Sequence, residues 1–423
     1  MGGTDTLTGG DPARGRIEPA GGPGRSPRLA EIKQAVVLAA GRGERLYPLT
    51  SLRPKVMLPV GNKPILQHIL EALAGNGVRD IILVVGYCKQ YVQDTLGSGD
   101  AIGVRIRYVV QEQQLGTGNA LAMASRLTDD RFLVVSGDNL VATETLRPLI
   151  GMDAECVLVK ESGSPFHYGL VMVRDGKVTH FMEKPGVQLS RWVNTGNYVL
   201  SRKVFQHLDT EVDLPSALQQ MVDSGAAFTI LPTEQTWLDA TYPWDLLNIN
   251  NNALEQVEPR FEGEREEGVV IRGNVQVGKG SVVRAHSYLV GPLVIGSGTE
   301  IGPYTAVFPG TSIGDNVVIA PFSEIRNSIL ENSVRIGSHS VVTNAILSEG
   351  CSFSARFHAR HGEVRRQGHQ QEDYRVHGGA VVAEFVDGGD DVSLEAGVLV
   401  GKGARIGSGR RLAQDIPEDA IVL

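Results

Sequence analysis

"VVIRGNVQVGKGSVVRAHSYLVGPLVIGSGTEIGPYTAVFPGTSIGDNVVIAPFSEI" (269–325) keeps a single period from end to end. Ile271, Val277, Val283, Leu289, Ile295, Ile301, Val307, Ile313, Ile319 and Ile325 are aliphatic at a spacing of six, ten in succession. Four residues after each stands one that is mostly small or β-branched: Val275, Ser281, Ser287, Leu293, Thr299, Thr305, Thr311, Val317, Ser323 and Ile329. Ordinary strands alternate with period two and cannot hold a phase of six with glycines at the turns. Such a repeat marks a parallel β-helix, in which three hexads close one triangular coil and the aliphatic residues stack inside. The phase then slips by one residue, resumes at Ile336 and Val342, fades, and returns at Leu394, Val400 and Ile406. We expect a β-helix over 269–409 with an irregular insertion near 352–390, and a C-terminal tail over 410–423. The insertion holds His358, His361, His369 and His377. No carboxylate or thiol joins them at the spacing of a metal motif, so they read as a polar loop.

Upstream of a linker at 257–268 the pattern changes. Short runs rich in Val and Ile, "AVVLAA" (35–40), "DIILVVGY" (80–87), "RIRYVV" (105–110) and "RFLVVSGD" (131–138), are spaced as strands. Between the first two, Leu66, Ile69, Leu70 and Leu73 fall at helical spacing and Gly75 is a stop signal. Strands alternating with helices predict right-handed β-α-β units and a largely parallel, Rossmann-like sheet over 34–256. Ligands of such sheets sit at the carboxyl ends of the strands. One strand ends at Gly41 and another at Asp138, so both point into one crevice. Residues 1–33, rich in Gly, Pro and Arg, have little to bury and are expected to be a disordered extension.

A chain of 423 residues exceeds one ordinary core. Its net charge of −8, with no long basic run, argues against a non-specific nucleic-acid binder. Cys88, Cys156 and Cys351 lie far apart and are odd in number, which fits a reducing compartment such as the cytoplasm. No apolar run reaches the roughly 18 residues of a membrane span.

The chemistry concentrates in "AVVLAAGRGERLYPLTSLRPK" (35–55). It lacks the third glycine of a dinucleotide fingerprint and the GK[ST] of a Walker A loop. A strand ending in Gly41-Arg42-Gly43 nevertheless leaves several backbone N–H groups free, which makes an anion cradle. Arg45 and Lys55 add formal charge. Together they suit a triphosphate being cleaved, in which charge moves from the α-phosphate to a departing pyrophosphate.

"LAAGRGERLYPLTSLRPKVMLPVGNKPIL" (38–66) resembles the GxGxRLxPxTxxxPK signature of the sugar-1-phosphate nucleotidylyltransferases, through Gly41, Gly43, Arg45, Leu46, Pro48, Thr50, Pro54 and Lys55. The resemblance implies attack of a sugar-1-phosphate oxygen on the α-phosphorus of a nucleoside triphosphate, with Mg²⁺, releasing pyrophosphate. It implies Arg45 and Lys55 as catalytic residues and Leu38, Ala39, Ala40, Gly41 and Gly43 around the nucleotide. "QEQQLGTGNAL" (111–121) is similar to the family's base-reading segment, so Gln111 and Gly116 would bond a uracil or thymine edge, with Thr117 beside them. Its wording is closest to archaeal-type bifunctional UDP-N-acetylglucosamine pyrophosphorylase/glucosamine-1-phosphate acetyltransferases. "SGDN" (136–139) and "WLDATYPWDLL" (237–247) imply Asp138 and Asp239 as the magnesium ligands. "YGLV" (168–171), "EKP" (183–185) and "NTGNYV" (194–199) imply Gly169, Glu183, Lys184 and Asn194 on the sugar phosphate. Thr241 stands where the family usually has Gly, and Asn197 where it has an apolar residue.

A β-helix behind such a domain resembles the same bifunctional enzymes, whose helix assembles as a trimer and acetylates glucosamine-1-phosphate from acetyl-CoA. In "GSHSVVTNA" (337–345), however, Ser338 falls at the place of the family's histidine base and His339 is one residue away, which in β-structure turns a side chain to the other face. "SFSARF" (352–357) lacks the glycines of the next motif. We therefore expect a UDP- or dTDP-sugar-forming enzyme on a homotrimeric or larger scaffold, without nucleic-acid or membrane partners, whose acetyltransferase site is eroded. The alternatives are an enzyme that also acetylates through His339, and a non-catalytic regulatory subunit, which the presence of Arg45, Lys55, Asp138 and Asp239 disfavours.

Overall fold

The protein is described by a computed structural model covering residues 31–162, 168–183, 185, 189–208, 213–367 and 373–423. Five parallel and antiparallel neighbours build the heart of a nine-stranded sheet, in which Gln34–Ala39 lies between Asp80–Val85 and Arg131–Ser136, all three parallel. Arg105–Val110 extends that parallel half beyond Asp80–Val85, and the long strand Trp192–Ser201 runs antiparallel to Arg131–Ser136 on its other side. The central strands are apolar on both faces because helices or loops cover both, as expected of parallel strands. Val36 faces one core and Val37 the other, and both are fully buried. The helix read from Leu66, Ile69, Leu70 and Leu73 runs Ile65–Gly75 and buries those four residues. Ile32 is buried, and its N–H donates to Ile150 O at 3.2 Å. Residues 1–30, most of the expected extension, lie outside the described residues.

The hexads close into a left-handed parallel β-helix with three walls of eight, nine and eight strands. Successive coils advance 18 residues, as from Ile295 to Ile313, until one side loses a residue and Ile313 pairs with Leu330, 17 further on. That short side is the phase slip. Leu330 and Leu347 replace the expected positions and the stack of buried aliphatics continues unbroken. The second series is as buried as the first, for a different reason. Ser281, Ser287 and Thr299 turn their hydroxyls inward and donate to Gly296 O, Gly302 O and Gly314 O at 2.6, 2.8 and 2.8 Å. The hydroxyls thus supply hydrogen bonds to backbone groups in tight corners that the sheet ladders cannot reach.

Three expected boundaries are corrected. The linker at 257–268 is the first coil: Arg260–Phe261 and Glu264–Arg265 pair with Val275–Val277 and Val282–Val283. The tail at 410–423 is the last coil, with Arg411–Leu412 and Ile421–Val422 each in a wall. The insertion near 352–390 shrinks to one antiparallel hairpin, Gly362–Gln367 with Asp373–Gly378, because Ser352–Phe353, His358–Ala359, Val381–Val382 and Asp387–Gly388 all keep their places in the coil. Sequence periodicity faded there because Phe353, Ala359 and Gly388 fill the inward positions in place of Ile, Leu or Val. Gly388 is required, since a Cβ would lie 2.4 Å from the Phe353 ring.

The two domains share a core: Ile329, Ile346, Val376 and Val381 of the β-helix belong to the same buried cluster as Leu246 and Ile249. Asn250 links them by hydrogen bonds, accepting from Gly61 N and Ser312 Oγ and donating to Gly310 O. No helix among the described residues is long and apolar enough to cross a membrane.

Candidate active site

The strand Gln34–Ala39 delivers the glycine loop to the carboxyl edge of the sheet. Gly43 takes φ +79°, in the left-handed region, and a Cβ there would stand 2.5 Å from Lys55 Cβ. A side chain at 43 would therefore push against the lysine; glycine meets both demands. The loop is closed by Thr50, whose hydroxyl donates to Gly43 O at 3.1 Å, and by Lys55 N, which donates to Arg42 O at 3.3 Å. Ten residues of chain thus fold back and bring Arg45 and Lys55 to one cleft.

Asp138 follows the strand Arg131–Ser136, and Asp239 ends the short strand Trp237–Asp239. Asn139–Val141 pairs antiparallel with that strand in the register Asn139↔Asp239, which sets the two carboxylates side by side. Lys55 enters between them, with Nζ 2.9 Å from Asp138 Oδ2 and 2.5 Å from Asp239 Oδ1. Burial would lower the Lys55 ammonium, yet the carboxylates hold it well above the ordinary lysine range. Burial likewise pushes the Asp138 carboxyl up, but Lys55 and the Ser136 hydroxyl, donating at 2.6 Å, outweigh it and hold it below the usual carboxylate range. Asn139 Nδ2 donates to Asp239 Oδ1 at 3.2 Å. Two neighbouring carboxylates already gathered around a cation are a donor set that fits a divalent metal such as Mg²⁺, which takes one or two carboxylates and fills its remaining positions with water and phosphate oxygens. Among the described residues no cluster of three or more His, Cys, Asp or Glu could hold a metal on its own.

The cleft, about 600 Å³, runs from the glycine loop past this charge cluster. At one end lie Leu38, Ala39, Ala40, Gly41, Gln111, Gly116 and Thr117. Gln111 is buried, and its amide donates to Gly116 O at 3.0 Å and to Asn119 Oδ1 at 2.8 Å, so it shapes the loop that carries it. At the other end lie Gly169, Glu183 and Asn194. Asn194 N donates to Gly169 O at 2.8 Å, and its side-chain oxygen accepts from Tyr198 Oη at 2.8 Å. Lys184 lies outside the described residues. Every other residue expected at the nucleotidyl-transfer site lines this cleft.

Several lining residues were not singled out in the sequence: Gln114, Tyr168, Tyr198, Asp213 and Trp237. Asp213 had a legible signal, an acidic residue before Leu-Pro at a helix start, and it caps the helix Leu214–Asp223 by accepting from Ser216 N at 2.9 Å. Tyr168 and Trp237 meet edge to face at 5.4 Å, and burial pushes the Tyr168 hydroxyl up to about 12. Thr241, in place of the usual glycine, sets its hydroxyl 3.4 Å from Asp239 Oδ2.

His339 is elsewhere. It sits at a β-helix corner with φ +59° and stacks on Phe322 at 5.0 Å, which stacks on Tyr304 at 5.3 Å, which stacks on His286 at 5.1 Å. Its ring is part of an exposed aromatic column, one ring per coil.

Residues 34–256 match the family described as Nucleotidyl transferase, and 292–327 match Bacterial transferase hexapeptide (six repeats). The Bifunctional protein GlmU of Methanococcus vannielii is 34% identical over 409 residues, 92% of this chain and 97% of its own. The Glucose-1-phosphate thymidylyltransferase of Streptomyces antibioticus is 31% identical over 345 residues, 77% of this chain and 95% of its own. The Bifunctional sugar-1-phosphate nucleotidylyltransferase/acetyltransferase of Sulfurisphaera tokodaii is 29% identical over 402 residues, 90% of this chain and 98% of its own.

Proposed function

The chain belongs to the nucleotidyl transferase family, and we propose that it makes a UDP- or dTDP-sugar from UTP or dTTP and a hexose 1-phosphate, either glucose-1-phosphate or N-acetylglucosamine-1-phosphate. The observation that carries this reading is the Lys55–Asp138–Asp239 cluster beneath the glycine loop, with Arg45 in the same cleft. A phosphate oxygen of the sugar attacks the α-phosphorus, a new P–O bond forms, and the bond to the β-phosphate breaks with its electron pair leaving on pyrophosphate. Arg45 and Lys55 hold the triphosphate and stabilise the charge that develops in the transition state. The loop at 111–117 orients the base, while Gly169, Glu183, Lys184 and Asn194 orient the sugar phosphate for in-line attack. Asp138 and Asp239 would hold Mg²⁺, which when bound supplies positive charge to the phosphate oxygens.

The β-helix serves in this reading as a scaffold for a homotrimer or larger assembly in the cytoplasm. The name of the Sulfurisphaera tokodaii relative includes acetyltransferase and favours a second reading, acetyl transfer, for which the sequence resemblance implies glucosamine-1-phosphate as acceptor. Ser338 at the place of the base and His339 in an aromatic stack argue for the scaffold.

Pyrophosphate release is measured with Mg²⁺ across UTP, dTTP, GTP and ATP, each with the two sugar phosphates. Parallel wells carry glucosamine-1-phosphate and acetyl-CoA and read free thiol. Release with UTP or dTTP and no thiol is expected; silence with every nucleotide overturns the proposed reaction, and thiol release overturns the scaffold role.

A further inference from the structure

Arg53 stands two residues before Lys55, separated from it only by Pro54 at φ −75° and ψ 157°. Its guanidinium points away from the cleft and into the β-helix, where Nη2 donates to both oxygens of Glu331 at 2.6 and 2.5 Å. Glu384, two coils further along the same wall, comes within 3.5 Å. The three side chains are 7%, 4% and 5% exposed. A charge cluster so dry is costly to assemble. A domain interface that needed only adhesion could use apolar contacts, as it does at Ile329 and Ile346.

Its place on the chain is informative. The segment 50–55 is gripped from both domains: Tyr87 Oη donates to Thr50 O and Ser51 O at 3.2 and 2.9 Å, and Ser51 Oγ donates to Glu418 Oε1 at 2.7 Å. Pro54 fixes one of the dihedrals between Arg53 and Lys55, and Gly43 leaves Lys55 Cβ no slack on the other side. The opposite wall of the cluster is seated in the same way. Five residues beyond Asp239, Trp244 Nε1 donates to Gly379 O of the β-helix at 2.9 Å.

We propose that Arg53 is a positioning residue for Lys55, and that the buried Arg53–Glu331 pair makes the β-helix the seat on which the lysine is aimed. The kinetic part of this inference rests on the proposed role of Lys55 at the triphosphate. The second domain is thereby a working part of the transfer site: displacing a reacting group by about 1 Å can cost on the order of 100-fold in rate.

The test uses the full-length protein and three variants. Glu331→Gln keeps the side-chain volume and leaves Glu384 to face Arg53. Arg53→Lys keeps the charge without the fork. Arg53→Met with Glu331→Leu removes the pair and leaves Glu384 without its cation, so that burial drives that carboxyl to its protonated form. Two readouts are taken on folded protein: acetylation of Lys55 by an amine-reactive ester, followed by mass spectrometry with the half-exposed Lys63 as internal control, and kcat and KM for pyrophosphate release. We expect Lys55 labelling to rise several-fold in Glu331→Gln and in the double variant while Lys63 stays constant. We expect kcat to fall roughly ten-fold or more with KM changed by less than about two-fold, and Arg53→Lys to lie between, because a misplaced charge acts on the transition state more than on binding. Unchanged Lys55 labelling in the folded variants overturns the seat, whatever the turnover. A labelling change in the variants, together with a wild-type protein that turns over no substrate pair, upholds the seat and defeats the proposed reaction.

Discussion

Lys55 and Asp239, 184 residues apart in the chain, meet with Nζ 2.5 Å from Oδ1. The contact is made possible by two unrelated pieces of local structure, a glycine loop that folds Lys55 back under the sheet edge and a two-strand register that sets Asp239 beside Asn139. It joins the cation proposed to act on the triphosphate to a carboxylate proposed to hold the metal.

Lys55→Ala should lower kcat by about 100- to 1000-fold, the loss of about 3–4 kcal/mol of transition-state stabilisation from one preorganised donor, with native circular dichroism. Without the ammonium, Asp138 and Asp239 face one another as like charges. The variant's melting temperature should therefore fall further below wild type at pH 8 than near pH 4, about the ordinary carboxylate value, where the Asp138 carboxyl, no longer held down by Lys55, takes up a proton. A kcat within a few-fold of wild type removes Lys55 from the chemistry.

Acid stability tests the other partner. The Asp138 carboxyl is held below its usual range in the folded protein, against the upward push of burial. A carboxyl with a depressed folded-state pKa contributes stability that is fully present above the unfolded value, about 3.9, and is lost as pH falls through the folded one. Asp138→Asn should accordingly melt below wild type at pH 6–7, and the two melting curves should converge below about pH 4. Convergence on raising the pH instead would show the sign to be wrong.

Gly43→Ala forces a side chain into a backbone at φ +79° and onto Lys55 Cβ. The left-handed conformation alone costs roughly 1–2 kcal/mol, and the displaced lysine should lose on the order of 100-fold in kcat. The melting temperature and the turnover number are both measured. A loss of stability with full turnover would mean that the contact with Lys55 is not what fixes its aim.

The cleft was largely legible because its residues lie in short contiguous motifs whose local chemistry is unambiguous: two glycines before paired cations, and an aspartate at a strand end. What the motifs could not convey was that Lys55 would sit between the two carboxylates, since that depends on a register between strands 100 residues apart. Arg53 was invisible for a similar reason; in the sequence it is one more cation in a loop, and only its Glu331 partner on the β-helix gives it a role. The sixfold repeat announced the β-helix through Ile271–Ile325, but its ends and its middle were misjudged. Aliphatic periodicity cannot register a coil whose inward positions are Phe353, Ala359 and Gly388, nor a first coil whose strand residues Arg260 and Phe261 remain exposed at the open end.

The hydroxyls of the second series give the last test. Thr299 is 1% exposed, donates to Gly314 O at 2.8 Å and accepts from Val317 N at 3.0 Å, while its own N–H donates to Ser281 Oγ at 3.0 Å. One threonine thus satisfies two backbone groups of the next coil. Thr299→Val preserves the shape and deletes the hydroxyl, leaving a buried carbonyl and a buried N–H, each at a cost of about 1–3 kcal/mol. Thr299→Ser keeps the hydroxyl and loses one methyl group, which should cost about 1 kcal/mol. Denaturant unfolding of the two variants should therefore place valine below serine, although valine is the better strand former. The reverse order would mean that the column is filled for volume alone, and that the corners of the β-helix find their hydrogen bonds elsewhere.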